Sequence, residues 1–188
     1  MHNINVSFEL LGKTGFVHFS LEQKRNLSPS ELPEFLPKSD FFRQAEEIVL
    51  EGKGPNWLYA FLAYCSVREK VKLITVRTLD KGDVTVYRAG QSLESRAAAS
   101  WYSLEPEENG FRCKIAGHSQ CPVEVLSCEV LSFPPSCPCL KITGSGALWM
   151  YAALSAAAAD AGISEVLIDN PNLFGLVSIG VKNPGRLF

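Results

Sequence analysis

A chain of 188 residues with 46% hydrophobic and 20% charged residues has the composition of a folded globular protein, which excludes a disordered chain. No apolar run approaches the roughly 18 residues of a membrane span, and residues 1–5 lack a basic flank and an apolar signal core, so a soluble, cytoplasmic protein is expected. The net charge of −2 divides into 12 basic and 12 acidic residues up to Ser95, then 6 and 8 from Arg96 onward. With no basic stripe to neutralise phosphates, long nucleic acid is excluded as the main partner, whereas a small anion held by backbone amides is not.

In chain order, residues 6–11 and 16–21 are short apolar runs separated by Gly12-Lys13-Thr14-Gly15, the pattern of a β-hairpin. Residues 26–37 hold three prolines and read as a turn-rich connection with at most a short helix over 30–36. Asp40 can cap a helical turn over 41–47, and Ile48-Val49-Leu50 makes a fully apolar strand. Next comes Gly52-Lys53-Gly54-Pro55, with Pro55 expected at the first helical position, and Leu58, Phe61, Leu62 and Cys65 at helical spacing to about Glu69. Strands over 72–77 and 84–87 follow, completing a βαβ unit and a hairpin partner.

Residues 88–100 read as a linker, and beyond it the order repeats. A strand opens at Gly110-Phe111, residues 123–131 are strand-like, Pro134-Pro135-Ser136 is a turn, and 140–143 leads into a second glycine motif. A helix is expected over 147–161, ended by Gly162 in the left-handed position. Its alanines admit close backbone approach, so it is expected to be wedged between the halves and more deeply buried than the first helix. Strands at 166–168 and 176–179 flank an Asp169-Asn170-Pro171-Asn172 turn.

The two glycine motifs align. Residues 52–62 and 144–154 share Gly, Gly, Trp, Tyr, Ala and Leu in step, 92 residues apart. The period predicts an α/β protein of two tandem βαβ-containing repeats with mixed sheets that pack on each other: a first repeat over 1–90 and a diverged second over 100–188. Of six cysteines, five lie between Cys113 and Cys139, but their spacing fits no zinc finger or ribbon, and buried apolar cysteines are the favoured reading even with His118 nearby. No metal site and no cofactor are therefore assigned.

A strand ending in Gly-x-Gly and opening a helix directs free N–H groups and a positive helix end into a crevice that suits phosphate. Trp57 and Trp149 occupy the place of the third dinucleotide-fingerprint glycine, and no P-loop lysine motif follows, so neither NAD nor ATP is supported. The competing reading is structural, with glycines that only turn the chain and tryptophans that fill the core.

At these residues the chain resembles the small Rossmann-like CRISPR-associated ring nucleases of type III systems, whose members read strand, Gly-(Arg/Lys)-Gly-Pro-x-Trp-Leu, helix, strand. Gly52-Lys53-Gly54-Pro55-Asn56-Trp57-Leu58 fits that pattern, and residues 15–32, with Val17-His18-Phe19 and Pro29, resemble its N-terminal hairpin. The likeness covers most of residues 4–88, and 110–179 is a looser copy. The resemblance implies a CARF-related domain that binds cyclic tetra-adenylate and cleaves it, acting as a dimer or, here, as a pseudo-dimer within one chain.

On this resemblance the ligand would be held by Gly52, Lys53, Gly54, Pro55, Asn56, Gly144, Ser145 and Gly146, with Thr78 and Asn170 at the turn positions where the family carries Asp. Tyr64 and about Ala156 stand where the family has a helix His, so the usual catalytic pair is replaced. Cleavage without metal, by positioning a 2′-hydroxyl for attack on the adjacent phosphate, would then rest on Lys53 as charge stabiliser, Tyr59 (or Tyr64 or Tyr151) as proton shuttle, and Asp169 as the remaining acid. His18 reads as a structural histidine between Val17 and Phe19. The alternative function is a non-catalytic interaction or structural subunit docking on another CRISPR component.

Overall fold

The computed structural model describes residues 4–21, 29–30, 32, 40–79, 82–90, 101–116, 133, 137–170, 175–180 and 185. The connection over 26–37 for the most part, the linker beyond residue 90, His118, Cys121, Cys128, the expected strand over 123–131, the 134–136 turn and Pro171-Asn172 lie outside the described residues.

The first sheet has the order β1-β2-β3-β4-β5, from β1 (Ile4–Leu11), β2 (Thr14–Leu21), β3 (Glu47–Gly52), β4 (Leu73–Thr78) and β5 (Gly82–Arg88). The second has the order β10-β9-β8-β7-β6, from β6 (Tyr102–Glu107), β7 (Gly110–Ile115), β8 (Cys139–Gly144), β9 (Glu165–Asn170) and β10 (Gly175–Ser178). A short helix α1 (Asp40–Gln44) precedes β3, α2 (Asn56–Arg68) joins β3 to β4, and α3 (Leu148–Asp160) joins β8 to β9. Each sheet is an antiparallel hairpin, then two parallel pairings around a helical crossover, then an antiparallel edge strand. The protein is thus mixed α/β with two five-stranded sheets of the same connectivity, an arrangement consistent with two repeats.

Alternation decides which side of each strand is buried. In β2, Val17 and Phe19 are buried while His18 between them is exposed. In β4 and β5, Ile74, Val76, Val84 and Val86 are buried and Arg77 and Asp83 point out. The buried sides face α2 and α3, which lie against each other, and α3 also meets β4 and β5 of the opposite sheet while α2 meets β9. Both helices are apolar all round, as a helix enclosed on every side must be. Ten of thirteen residues are buried in α2 and ten of thirteen in α3, so the alanine-rich helix is not the deeper of the two.

Hydrogen bonds tie the halves where their surfaces meet. The Tyr64 hydroxyl donates to the Ile163 carbonyl at 2.8 Å, and the Tyr87 hydroxyl donates to Asp160 Oδ1 at 2.9 Å. A Cβ on Gly185, which has φ +85°, would stand 2.1 Å from the Pro29 carbonyl oxygen, so the end of the second half rests on the first. Trp57, Trp101 and Trp149 are fully buried, and the last two meet edge to face with centroids 5.4 Å apart.

Three local details differ from the sequence reading. Pro55 is the residue before the helix, extended at φ −71°, ψ 156°, and Ala147 matches it at φ −70°, ψ 154°. β6 was not expected, because Ser103-Leu104-Glu105-Pro106-Glu107 is polar and contains proline, which only an edge strand tolerates. Asp169 and Asn170 belong to β9 rather than to a turn. Gly162 has φ +78° just past α3, as expected of its position.

Candidate functional site

β3 ends at Gly52 with φ +108°, and β8 ends at Gly144 with φ +99°. Each glycine is paired with the last position of the neighbouring parallel ladder, Phe19 for Gly52 and Ile115 for Gly144. A Cβ at Gly52 would lie 2.1 Å from the Phe19 carbonyl oxygen, and one at Gly144 would lie 2.4 Å from that of Ile115. Positive φ and close backbone approach both demand glycine at these two positions.

The next glycines are not equivalent. At Gly146 a Cβ would come within 2.6 Å of Ile115 Cγ2 and Met150 Sδ, so packing demands glycine there. At Gly54 the nearest atom would be Tyr59 Cε2 at 3.4 Å, an ordinary contact, and its φ is not positive. Neither packing nor backbone conformation requires glycine at position 54.

Each turn is held from below by the helix it opens. The Tyr59 hydroxyl donates to the Gly52 carbonyl at 2.7 Å, and the Tyr151 hydroxyl donates to the Gly144 carbonyl at 2.8 Å, the same seven-residue strut twice. Burial pushes both phenols above their ordinary range, most strongly Tyr59, to which the nearby Glu51 charge adds. Neither helix has a side-chain cap or an acidic residue in its first turn. No carboxylate of either helix's own first turn offsets the helix-end potential, and the nearest acidic charges are Glu51 beside the first turn and Asp169 beside the second.

The two turns meet. Asn56 Oδ1 accepts from the Trp57 N–H at 2.8 Å, while the Asn56 side chain also hydrogen-bonds the Tyr151 hydroxyl and draws that phenol downward against its burial. Asn56 opens α2 and Tyr151 lies in the first turn of α3. At the other end Tyr64 in α2 reaches Ile163 just beyond α3. The helices therefore run side by side in one direction, with both N-termini, and so both glycine turns, at the same end of the molecule.

Most of the sequence-selected residues occupy that end. Lys53 and Ser145 are exposed at the tips of the two turns, with the Lys53 N–H donating to the Phe19 carbonyl at 3.2 Å. Thr78 closes β4, its hydroxyl donating to the Gly82 carbonyl at 3.1 Å. Asn170 closes β9, and Asp169, one residue earlier, is half-buried and adds negative charge toward Tyr151. Tyr59 is buried with its hydroxyl hydrogen committed to Gly52, the geometry of a strut. Of the cysteines described, Cys113, Cys137 and Cys139 are buried, and burial raises their thiols, Cys113 to about 12 and Cys139 to about 11. No group of three or more metal-ligating side chains occurs among the described residues.

Sequence reasoning missed a polar row on the outer face of the first sheet. His18 Nδ1 stands 3.4 Å from Glu51 Oε1, and Arg77 bonds Glu51 Oε2 at 2.8 Å through Nη1. Arg77 also grips Asp83 through Nε at 2.8 Å and Nη2 at 3.2 Å. These residues come from four strands, and only the strand register reveals that they form a line.

Comparison with known families adds one finding. Residues 20–86 match the family model of a CRISPR-associated protein, Cas_csx3. This part of the chain is similar to a CRISPR-associated family. The matched stretch runs from β2 through the first glycine turn and α2 into β5. No curated protein matches the chain. No helix among the described residues is long and apolar enough to cross a membrane.

Proposed function

We propose that the chain binds a cyclic oligoadenylate, cyclic tetra-adenylate in particular, across its two glycine turns, and acts in the cytoplasm in type III CRISPR signalling as a sensor or ring nuclease. The observation that carries the reading is the Asn56–Tyr151 contact, which sets two uncapped helix N-termini side by side. A ring of four phosphates has repeated anionic groups, and paired sets of backbone amides offer repeated donors. Two tandem CARF-like repeats, 1–90 and 100–188, supply within one chain what a homodimer would supply from two.

The halves contribute unequally. Lys53 gives the first turn a cation where the second has Ser145, and Gly54 is a glycine without a packing reason, which fits close approach of a ligand to that backbone. The match of residues 20–86 to a CRISPR-associated family supports placing the first turn in this context. In this reading Gly52, Lys53, Gly54, Pro55 and Asn56 hold one side of the ring. Gly144, Ser145 and Gly146 hold the other, with Thr78 and Asn170 at the rims and Asp169 beside Tyr151.

The test is thermal unfolding with and without cyclic tetra-adenylate. A ligand present at a hundredfold excess over its dissociation constant stabilises the native state by about 2.7 kcal/mol. For a chain of this size that raises Tm by roughly 5–10 °C. No shift with the ring, or an equal shift with linear adenylates, would sink the reading in favour of a docking subunit.

A further inference from the structure

We propose that His18 is the general acid of a phosphodiester-cleaving step at the first glycine turn, and that Glu51 and Arg77 are its positioning residues. The inference rests on the cyclic-oligoadenylate reading and adds to it the chemistry that the first sheet can perform.

The three tyrosines that could shuttle a proton are already engaged. Tyr59 and Tyr151 donate their hydroxyl hydrogens to Gly52 and Gly144, and Tyr64 donates to Ile163. His18 differs. Its side chain is 51% exposed, its Nδ1 faces Glu51 at 3.4 Å, and its Nε2 has no partner among the described residues. A carboxylate on one ring nitrogen fixes the orientation of the imidazole and leaves the other nitrogen to exchange a proton outward.

Glu51 is itself held. It is the more buried member of the pair at 24% side-chain exposure, and Arg77 bonds its second oxygen. Arg77 donates two bonds to Asp83, through Nε and Nη2, and this fork orients its guanidinium while Nη1 reaches Glu51. Across β1, Ser7 stands opposite His18, and Glu9 lies one pair further along the same face. The row adjoins the turn through the chain itself. Glu51 precedes Gly52, and Phe19, next to His18, carries the carbonyl to which the Lys53 N–H donates. The corresponding line of the second sheet is Lys114, Thr143 and Asp169, with no histidine, so the chemistry belongs to the first half.

In the step, the 2′-oxygen of one adenylate bonds to the neighbouring phosphorus as the bond from phosphorus to O5′ breaks. The 2′-hydroxyl proton passes to water, and the His18 imidazolium gives its Nε2 proton to the departing 5′-oxygen. The products are a 2′,3′-cyclic phosphate and a 5′-hydroxyl, and solvent restores the proton to His18.

The experiment pairs ring-induced stabilisation with single-turnover cleavage in wild type, His18→Ala, Glu51→Gln and Arg77→Lys. Wild type is expected to cleave the ring. His18→Ala is expected to keep the thermal shift while cleavage falls on the order of a hundredfold or more. Glu51→Gln is expected to lower the single-turnover rate at saturating ring while leaving the ring concentration at half-saturation unchanged, a split that a merely structural role would not produce. Arg77→Lys keeps the charge and loses the fork, so it is expected to fall between the two. Binding without linear product in wild type, or full-rate cleavage by His18→Ala, overturns the role of His18 and leaves the binding reading intact. Absence of the thermal shift in wild type removes both.

Discussion

The side chain of Asn56, at the start of α2, hydrogen-bonds the hydroxyl of Tyr151 in the first turn of α3, and that hydroxyl in turn donates to the carbonyl of Gly144. One side chain therefore joins the first glycine turn to the second. Leu148 stands at the position of Asn56 in the other half, so the bond has no symmetric mate. Asn56→Leu is expected to cost about 1 kcal/mol of stability in chemical denaturation, the worth of one hydrogen bond. In a double-mutant cycle with Tyr151→Phe, a coupling of about 0.5–1 kcal/mol is expected, and strict additivity would show that the two residues do not act together.

The glycines at the strand ends differ in kind from those in hairpin turns. Gly52 and Gly144 combine positive φ with a backbone carbonyl in the space a Cβ needs, whereas Gly82, with φ +70°, has nothing within 4 Å. Gly52→Ala and Gly144→Ala are expected to destabilise by roughly 3 kcal/mol or more, and Gly82→Ala by about 1 kcal/mol. Equal midpoints for the three variants in urea would contradict the close approach.

Ser155 lies in the middle of α3 with its hydroxyl fully buried and unpartnered among the described residues. Its neighbours Ala153, Ala156 and Ala158 show that a methyl is accommodated on this helix. Ser155→Ala removes an unsatisfied polar group and improves helix propensity, so it is expected to raise stability by about 1 kcal/mol, seen as a higher Tm. A lower Tm would mean that the hydroxyl has a partner.

Glu46 sits between Lys13 of the β1–β2 turn and Lys72 ahead of β4, bonded to both. The hydrogen bonds from the two ammonium groups hold its carboxyl down from about 4.5 to about 2. A depressed folded-state value contributes stability that is present above about pH 4.5 and lost as pH falls toward 2. Glu46→Gln is expected to lower Tm modestly between pH 6 and 8, where the ionised carboxylate contributes, and to flatten the fall in Tm over the acid window, so that the two curves converge toward pH 2. An unaltered acid limb would show that the cluster contributes nothing.

Much of this architecture was legible because it is written in local patterns. The 92-residue spacing of the two Gly-x-Gly-x-x-Trp motifs corresponds to two sheets of one connectivity, and helices, hairpins and crossovers appear where glycine, proline and periodicity indicate them. The parts that were illegible depend on partners distant in sequence. β6 takes a polar, proline-containing edge that no single-strand pattern marks. His18 reads alone as a structural histidine between Val17 and Phe19, and only the register of β2, β3, β4 and β5 lines it up with Glu51, Arg77 and Asp83. The depth of α3 was overestimated because alanines signal close packing, while α2 reaches equal burial with larger side chains that fill the same enclosed space.

The central claim is that the two turns of one chain form one site. Isothermal titration calorimetry with cyclic tetra-adenylate, run on wild type and on Lys53→Ala, tests it most directly. The account predicts saturable binding near micromolar affinity with one ring per chain, weakened about tenfold or more in Lys53→Ala through loss of a charge-assisted contact. No heat of binding at about 100 μM ring, or binding to wild type and Lys53→Ala alike, would contradict it.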